Sequence, residues 1–118
     1  MSTYYGVKIG YGYPILEEDY PDCNWDNDEE VNKYYDWRDA LHDCDYRYIM
    51  NWEYDESGEF FGIMLDDAEY GEFISIARAN QAINKLNRDE WEKCEAEYHR
   101  LFPNSTKQPD VYIMSVVW

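Results

Sequence analysis

Positive charge is scarce in this sequence. Ten Lys and Arg stand against 26 Asp and Glu, a formal net charge of −16 over 118 residues. That balance excludes direct binding to nucleic acid or to an anionic membrane, both of which need a basic surface. Histidine is nearly missing, with His42 and His99 alone, and no Gly-x-Ser-x-Gly elbow occurs. Nucleophilic catalysis therefore has no support. No apolar run approaches the roughly 18 residues of a membrane span. Met1-Ser2-Thr3-Tyr4-Tyr5 has no basic region followed by an apolar stretch, so no signal peptide is expected. Cysteine is sparse and odd in number. Cys23, Cys44 and Cys94 stand far apart and suggest no disulfide framework, which points to free thiols and a reducing cytoplasm. No linker, internal repeat or low-complexity tract divides the chain, so one compact domain over residues 1–118 is expected.

What is abundant is apolar and aromatic: 45% and 19% of the residues. A chain of this size buries about two-thirds of its unfolded surface, enough for one core, and so many aromatics argue against disorder. The negative charge is segregated. Residues 17–72 hold 20 acidic residues and only Lys33, Arg38 and Arg47, a net −17. Residues 73–118 hold six of each sign. Solubility needs a net charge of only about 2–8 in magnitude and gives no reason for segregation. Halophilic acidity would likewise cover the whole surface.

Periodicity places the elements. Tyr5, Val7, Ile9, Tyr11 and Tyr13 alternate with Gly6, Lys8, Gly10 and Gly12, predicting a strand over 4–13. The glycines on its other face predict bulges or close backbone packing. Residues 14–27 read as an acidic loop. A helix is expected over 28–44, capped by Asp26 or Asn27, with Val31, Tyr34, Trp37, Leu41 and Cys44 on one arc. A hairpin follows, with Asp55-Glu56-Ser57-Gly58 as its turn, Trp52 opposite Phe61, Tyr48 opposite Leu65 and Arg47 opposite Asp66. Residues 72–77 favour a strand, with a helix running on through Leu86 as the competing reading. A second helix is capped by Asn87, with Glu90 completing a capping box and Leu86 and Trp91 a staple. Trp91, Cys94, Tyr98, Leu101 and Phe102 share its apolar arc. Val111–Trp118 is a final strand, apolar on both faces and hence expected in the middle of a sheet. The order predicts an α+β fold: a mainly antiparallel sheet of four to five strands with two helices packed on it.

The chemical motifs are weak. A calcium loop starting at Asp22 has Asn27 where the turn glycine belongs and Lys33 where the bidentate Glu belongs. Polar residues capping a helix explain that stretch better. His42-x-Cys44 and Cys94-x-x-x-x-His99 lack zinc-ligand spacing. Gly6-Val7-Lys8-Ile9-Gly10-Tyr11-Gly12 lacks the Gly-Lys-Ser/Thr ending of a phosphate loop. No metal, no cofactor and no enzymatic activity are expected.

The first helix carries the strongest signal. Asp28, Glu29, Asp36, Asp39 and Asp43, with Asn32, share one arc. The row is about 22 Å long, and each like-charge pair along it costs about 0.2–0.5 kcal/mol. The second helix instead mixes signs, setting Asp89 with Lys93 and Glu95 with His99. One helix limits repulsion and the other tolerates it, which points to a surface selected for negative charge. Glu17, Glu18, Asp19, Asp22 and Asp26 in the loop extend it, as do Glu53, Asp55, Glu56 and Glu59 in the hairpin. Tyr20, Trp25 and Tyr35, beside the carboxylates, are the candidate aromatic anchors. A duplex carries one charge per about 1.7 Å of axis, and a rigid acidic patch can stand in for such a line of phosphates.

In size, acidity and α+β make-up the chain resembles phage- and mobile-element-encoded DNA mimics that block host restriction or CRISPR effectors. The resemblance implies a non-enzymatic, cytoplasmic inhibitor that occupies the groove of a basic nucleic-acid-binding protein. Two other readings share the bulk properties: an immunity protein that neutralises a basic nuclease toxin, and an acidic structural protein that self-associates through an apolar face.

Overall fold

The computed structural model describes residues 5–50, 58–69 and 72–117. Its architecture is α+β, with four antiparallel strands and three helices. Strand β1 (Tyr5–Ile15) is followed by a 3-10 turn at Glu17–Asp19, helix α1 (Asp28–His42), and strands β2 (Arg47–Met50) and β3 (Gly58–Glu69). Helices α2 (Ile76–Asn84) and α3 (Arg88–Leu101) precede strand β4 (Asp110–Val117). The sheet order is β2-β3-β1-β4. Among the described residues no helix is long and apolar enough to cross a membrane.

Alternation in β1 builds the core. Tyr13 and Ile15 are buried on the face that carries α1 and α3, together with Phe61 and Ile63 of β3, Leu41 of α1, and Cys94, Tyr98, Leu101 and Phe102 from α3 and its end. The rings of Tyr13 and Tyr98 stack with centroids 3.6 Å apart. Both long helices begin as their caps predict. Asn27 accepts from the backbone N–H of Glu29 and Glu30, and Asn87 from that of Glu90. The apolar arc of α3 faces the core, and that of α1 reaches it through Trp37, Leu41 and Cys44, while Val31 and Tyr34 lie outside it.

The glycines of β1 serve the opposite face, where Phe60 is buried among Tyr48, Met64, Tyr112 and Met114. A Cβ on Gly10 would lie 2.7 Å from the Phe60 ring, and one on Gly12 only 2.2 Å from the Phe61 carbonyl oxygen. The strands flanking the sheet, β2 and β4, approach within 8 Å between Cα atoms, so the sheet curls around Phe60. A bulge lies at Ile9/Gly10: Gly10 pairs with Met64 but Ile9 with Asp66, leaving Leu65 without a partner in β1. Beyond it Asp66 and Ala68 share the helix-bearing face.

Four expectations fail. The hairpin register is shifted by five positions: Arg47 pairs with Phe61 and Tyr48 with Phe60. Its connection, with Trp52 and the expected turn at 55–57, lies outside the described residues. An odd shift exchanges faces, and it was invisible in the sequence because both faces of β3 carry apolar residues. Residues 72–77 form no strand; Ser75 caps α2 by accepting from the Arg78 N–H, and Phe73 and Ile76 point to solvent. The described residues accordingly hold three helices where two were expected. Finally, β4 is an edge strand and β1 takes a middle place. Two apolar faces in β4 reflect the Phe60 cluster on one side and an uncovered Ile113 on the other.

Candidate protein-binding surface

Helix α1 lies on the sheet through Trp37 and Leu41, which turns its acidic arc outward. Trp37 fixes that orientation: its indole N–H donates to the Leu101 carbonyl at 2.6 Å, and its ring meets Tyr20 and Phe102 edge-on. Asp28, Glu29, Asp36, Asp39 and Asp43 are all exposed. Within α1 the ion pair among the described residues is Lys33–Glu29, at 3.8 Å and open to solvent on both sides. Glu29 is thus partly compensated, while Asp36, Asp39 and Asp43 have no cation within 4 Å among the described residues. Arg38 lies over the Tyr35 ring, 4.6 Å from its centroid, rather than against a carboxylate.

Asp28, Glu29 and Glu30 occupy the first turn, where the helix dipole favours anions. Asp39 and Asp43 lie at the opposite end, where it disfavours them. In α3 the rule is kept at both ends: Asp89 and Glu90 open the helix and His99 and Arg100 close it. Its ion pairs are Arg88–Glu92 and Arg100–Glu97, different partners from those the spacing suggested.

The loop between β1 and α1 divides the expected site residues into two sets. Glu17, Glu18, Asp22 and Asp26 are exposed. Asp19 is not available: its carboxylate accepts from the Leu16 N–H and pairs with Lys107, which also donates to the Pro14 carbonyl. Tyr20 is also internal. Its hydroxyl donates to Glu59, whose other oxygen is held by Arg47 at 3.1 Å. Burial first, and the Glu59 hydrogen bond second, push the Tyr20 phenol pKa well up. Glu59 therefore belongs to a partly buried network rather than to the acidic surface. Glu53, Asp55 and Glu56 lie outside the described residues.

Trp25 and Tyr35 are exposed, at 58% and 40%, and meet at 6.1 Å. Tyr34 joins them, 5.1 Å from Trp25, and forms the bridge to Trp37. Its place on the apolar arc of α1 was the only sign of this role. Beside the trio a groove of about 600 Å³ runs between the loop, α1 and the end of α3. Glu18, Asp22 and Glu30 line it with Tyr34 and Trp37, and Arg100 closes the far side. Nothing in the local sequence announced that wall, because α1 and α3 are distant in the chain. Acidic rims with aromatic walls suit a cationic side chain.

Among the described residues no three His, Cys, Asp or Glu side chains gather as a metal site would require. Asn24 and Asn27 are spent on the loop and the helix cap. Cys94 is fully buried and its thiol is pushed up to about 12, chiefly by burial.

No protein family, characterised protein or solved structure matches this chain.

Proposed function

We propose that this protein is a non-enzymatic inhibitor whose acidic surface occupies the nucleic-acid groove of a basic protein, as a mimic of DNA or RNA. The host target would be a defence effector, a CRISPR or restriction nuclease. The observation that carries this reading is the outward row on α1. Asp36, Asp39 and Asp43 are exposed and have no cation within 4 Å among the described residues, and Asp39 and Asp43 sit at the helix end whose dipole disfavours anions. A structural role would have given them partners, as it did Asp19, Glu59 and Asp66. Asp28, Glu29, Glu17, Glu18, Asp22 and Asp26 extend the row, and Trp25 and Tyr35 supply amphipathic contact area beside it. Such a surface speeds association with a basic partner and is salt-sensitive.

The test is capture from a host lysate on the immobilised protein at about 0.05 M and 0.5 M NaCl, the latter shrinking the Debye length to a few ångströms. The expected result is one basic nucleic-acid-binding protein, retained at low salt and displaced by duplex DNA or by RNA. The triple variant Asp36→Lys, Asp39→Lys, Asp43→Lys is expected to lose that protein while keeping the wild-type circular dichroism spectrum. Undiminished capture by the folded variant, or retention of many unrelated basic proteins, would overturn the proposal.

A further inference from the structure

The outward row on α1 leaves the groove beside it unexplained. That groove holds about 600 Å³, within the roughly 300–1,000 Å³ of sites that seat small ligands. Its charges are sorted rather than balanced. Of the carboxylates on its lining, Asp19 is taken by Lys107. Both cations on the lining turn to carboxylates outside it, Lys33 to Glu29 at 3.8 Å and Arg100 to Glu97 at 2.7 Å. Glu18, Asp22 and Glu30 are left exposed, with no cation within 4 Å among the described residues.

The other walls add to that field and give it shape. The end of α3 lines the groove through Arg100 and Leu101, and a helix dipole places partial negative charge at its C-terminal end. Trp37 and Tyr34 are fixed in place. The Trp37 indole N–H is held by the Leu101 carbonyl at 2.6 Å. The Tyr34 ring packs 5.9 Å from that of Trp37 and 5.1 Å from that of Trp25. Walls already in position spare a ligand the cost of ordering them. Glu29 and Glu30 are neighbours in the first turn of α1, one on the row and one on the groove, so a single partner can cover both.

We infer that this groove seats an arginine side chain of the partner, its guanidinium against the Tyr34–Trp37 wall and hydrogen-bonded to the carboxylates of Glu30, Glu18 and Asp22. The inference rests on the proposed function, which supplies a partner whose groove is built to grip phosphates, a task for which arginine is the preferred side chain. Charge complementarity selects a cation, and the aromatic wall selects among cations. A guanidinium is planar, stacks on rings and presents five donors in a fork that matches carboxylates. A lysine ammonium is a compact point charge that holds its water more strongly. A metal ion is a poorer occupant, because among the described residues no three ligating side chains gather closely enough to hold one.

Titration of the 15N-labelled protein with two end-blocked glycine peptides, one carrying a single arginine and the other a single lysine, tests this without the partner. The five tryptophan indole N–H groups are the reporters, and Trp37 is the tryptophan on the groove lining. The arginine peptide is expected to shift the Trp37 signal saturably, with a Kd of about 1 mM, and the lysine peptide to bind several-fold more weakly. Glu30→Gln is expected to weaken the arginine peptide about fivefold, a modest part of what a charge-assisted hydrogen bond can contribute. Glu30 is exposed, so this variant keeps the fold. Glu92→Gln removes the same charge from the exposed face of α3, away from the groove, and is expected to leave the affinity unchanged. A Trp37 signal that does not move, lysine bound as well as arginine, equal losses in the two variants, or shifts confined to the Asp36–Asp43 row would each overturn the inference. Its failure is distinct from that of the proposed function. A nucleic-acid-binding protein captured and displaced by DNA, with no arginine binding at Trp37, overturns the groove inference alone. Arginine binding at Trp37 with no such protein captured overturns the mimic and keeps the arginine site.

Discussion

Asp66 shows how one carboxylate can be structural in a protein full of exposed ones. The bulge at Ile9/Gly10 rotates it onto the helix-bearing face, where the Arg78 fork meets it. Those hydrogen bonds hold its carboxyl below the ordinary range, outweighing burial, which acts the other way and is next in size. The unfolded chain then takes up the Asp66 proton more readily than the folded one. The stabilisation is complete above the unfolded value, about pH 4, and is lost as the pH falls through the lower folded value. Asp66→Asn is therefore expected to melt below the wild type at pH 6–7, with the difference vanishing near pH 2. Paired melting curves across that range check it; a difference independent of pH would mean that the ion pair contributes nothing.

At the scale of elements, α1 and α3 are a matched pair with opposite treatments of charge. Asp39, in the last turn of α1, faces both the helix dipole and its neighbours Asp36 and Asp43. Asp39→Asn removes that penalty and keeps the shape. Stability is expected to rise by about 0.3–1 kcal/mol, read as a higher urea midpoint with unchanged slope. A loss would reveal a partner for Asp39. The two helices were legible in the sequence because their caps and one-sided arcs are local signals. Asn27, Asn87, Trp37 and Tyr98 sit where periodicity put them. The hairpin register was not legible, because a strand apolar on both faces fits more than one alignment. Helix α2 matches the competing reading of this stretch, set second because Phe73 and Ile76 suggested a core strand, whereas the Ser75 cap and the Arg78 anchor decide the conformation. Within the candidate site the exposed row on α1 followed from spacing alone. The withdrawal of Asp19 and Tyr20 did not, since Lys107 and Glu59 lie 88 and 39 residues away.

For the whole molecule the net charge works against folding as well as for recognition. A −16 chain repels itself more when compact than when expanded, and in α1 the exposed Lys33–Glu29 pair is the relief found along the row among the described residues. Salt should therefore stabilise this fold, although it weakens the Asp66, Glu59 and Asp19 pairs. Those three are partly buried and poorly screened, whereas the row on α1 is open to solvent. The melting temperature is expected to climb as NaCl is raised from about 0.02 to 0.2 M and then to flatten, because the Debye length is already about 10 Å at 0.1 M. Reversing Asp36, Asp39 and Asp43 to lysine exchanges six units of charge and takes −16 to −10. The variant should begin at a higher melting temperature in low salt and climb less steeply. Differential scanning calorimetry at protein concentrations too low for self-association reads both slopes. A melting temperature that falls with salt would mean that the pairs outweigh the repulsion, and that the acidic row costs the fold too little to be the mark of a selected surface.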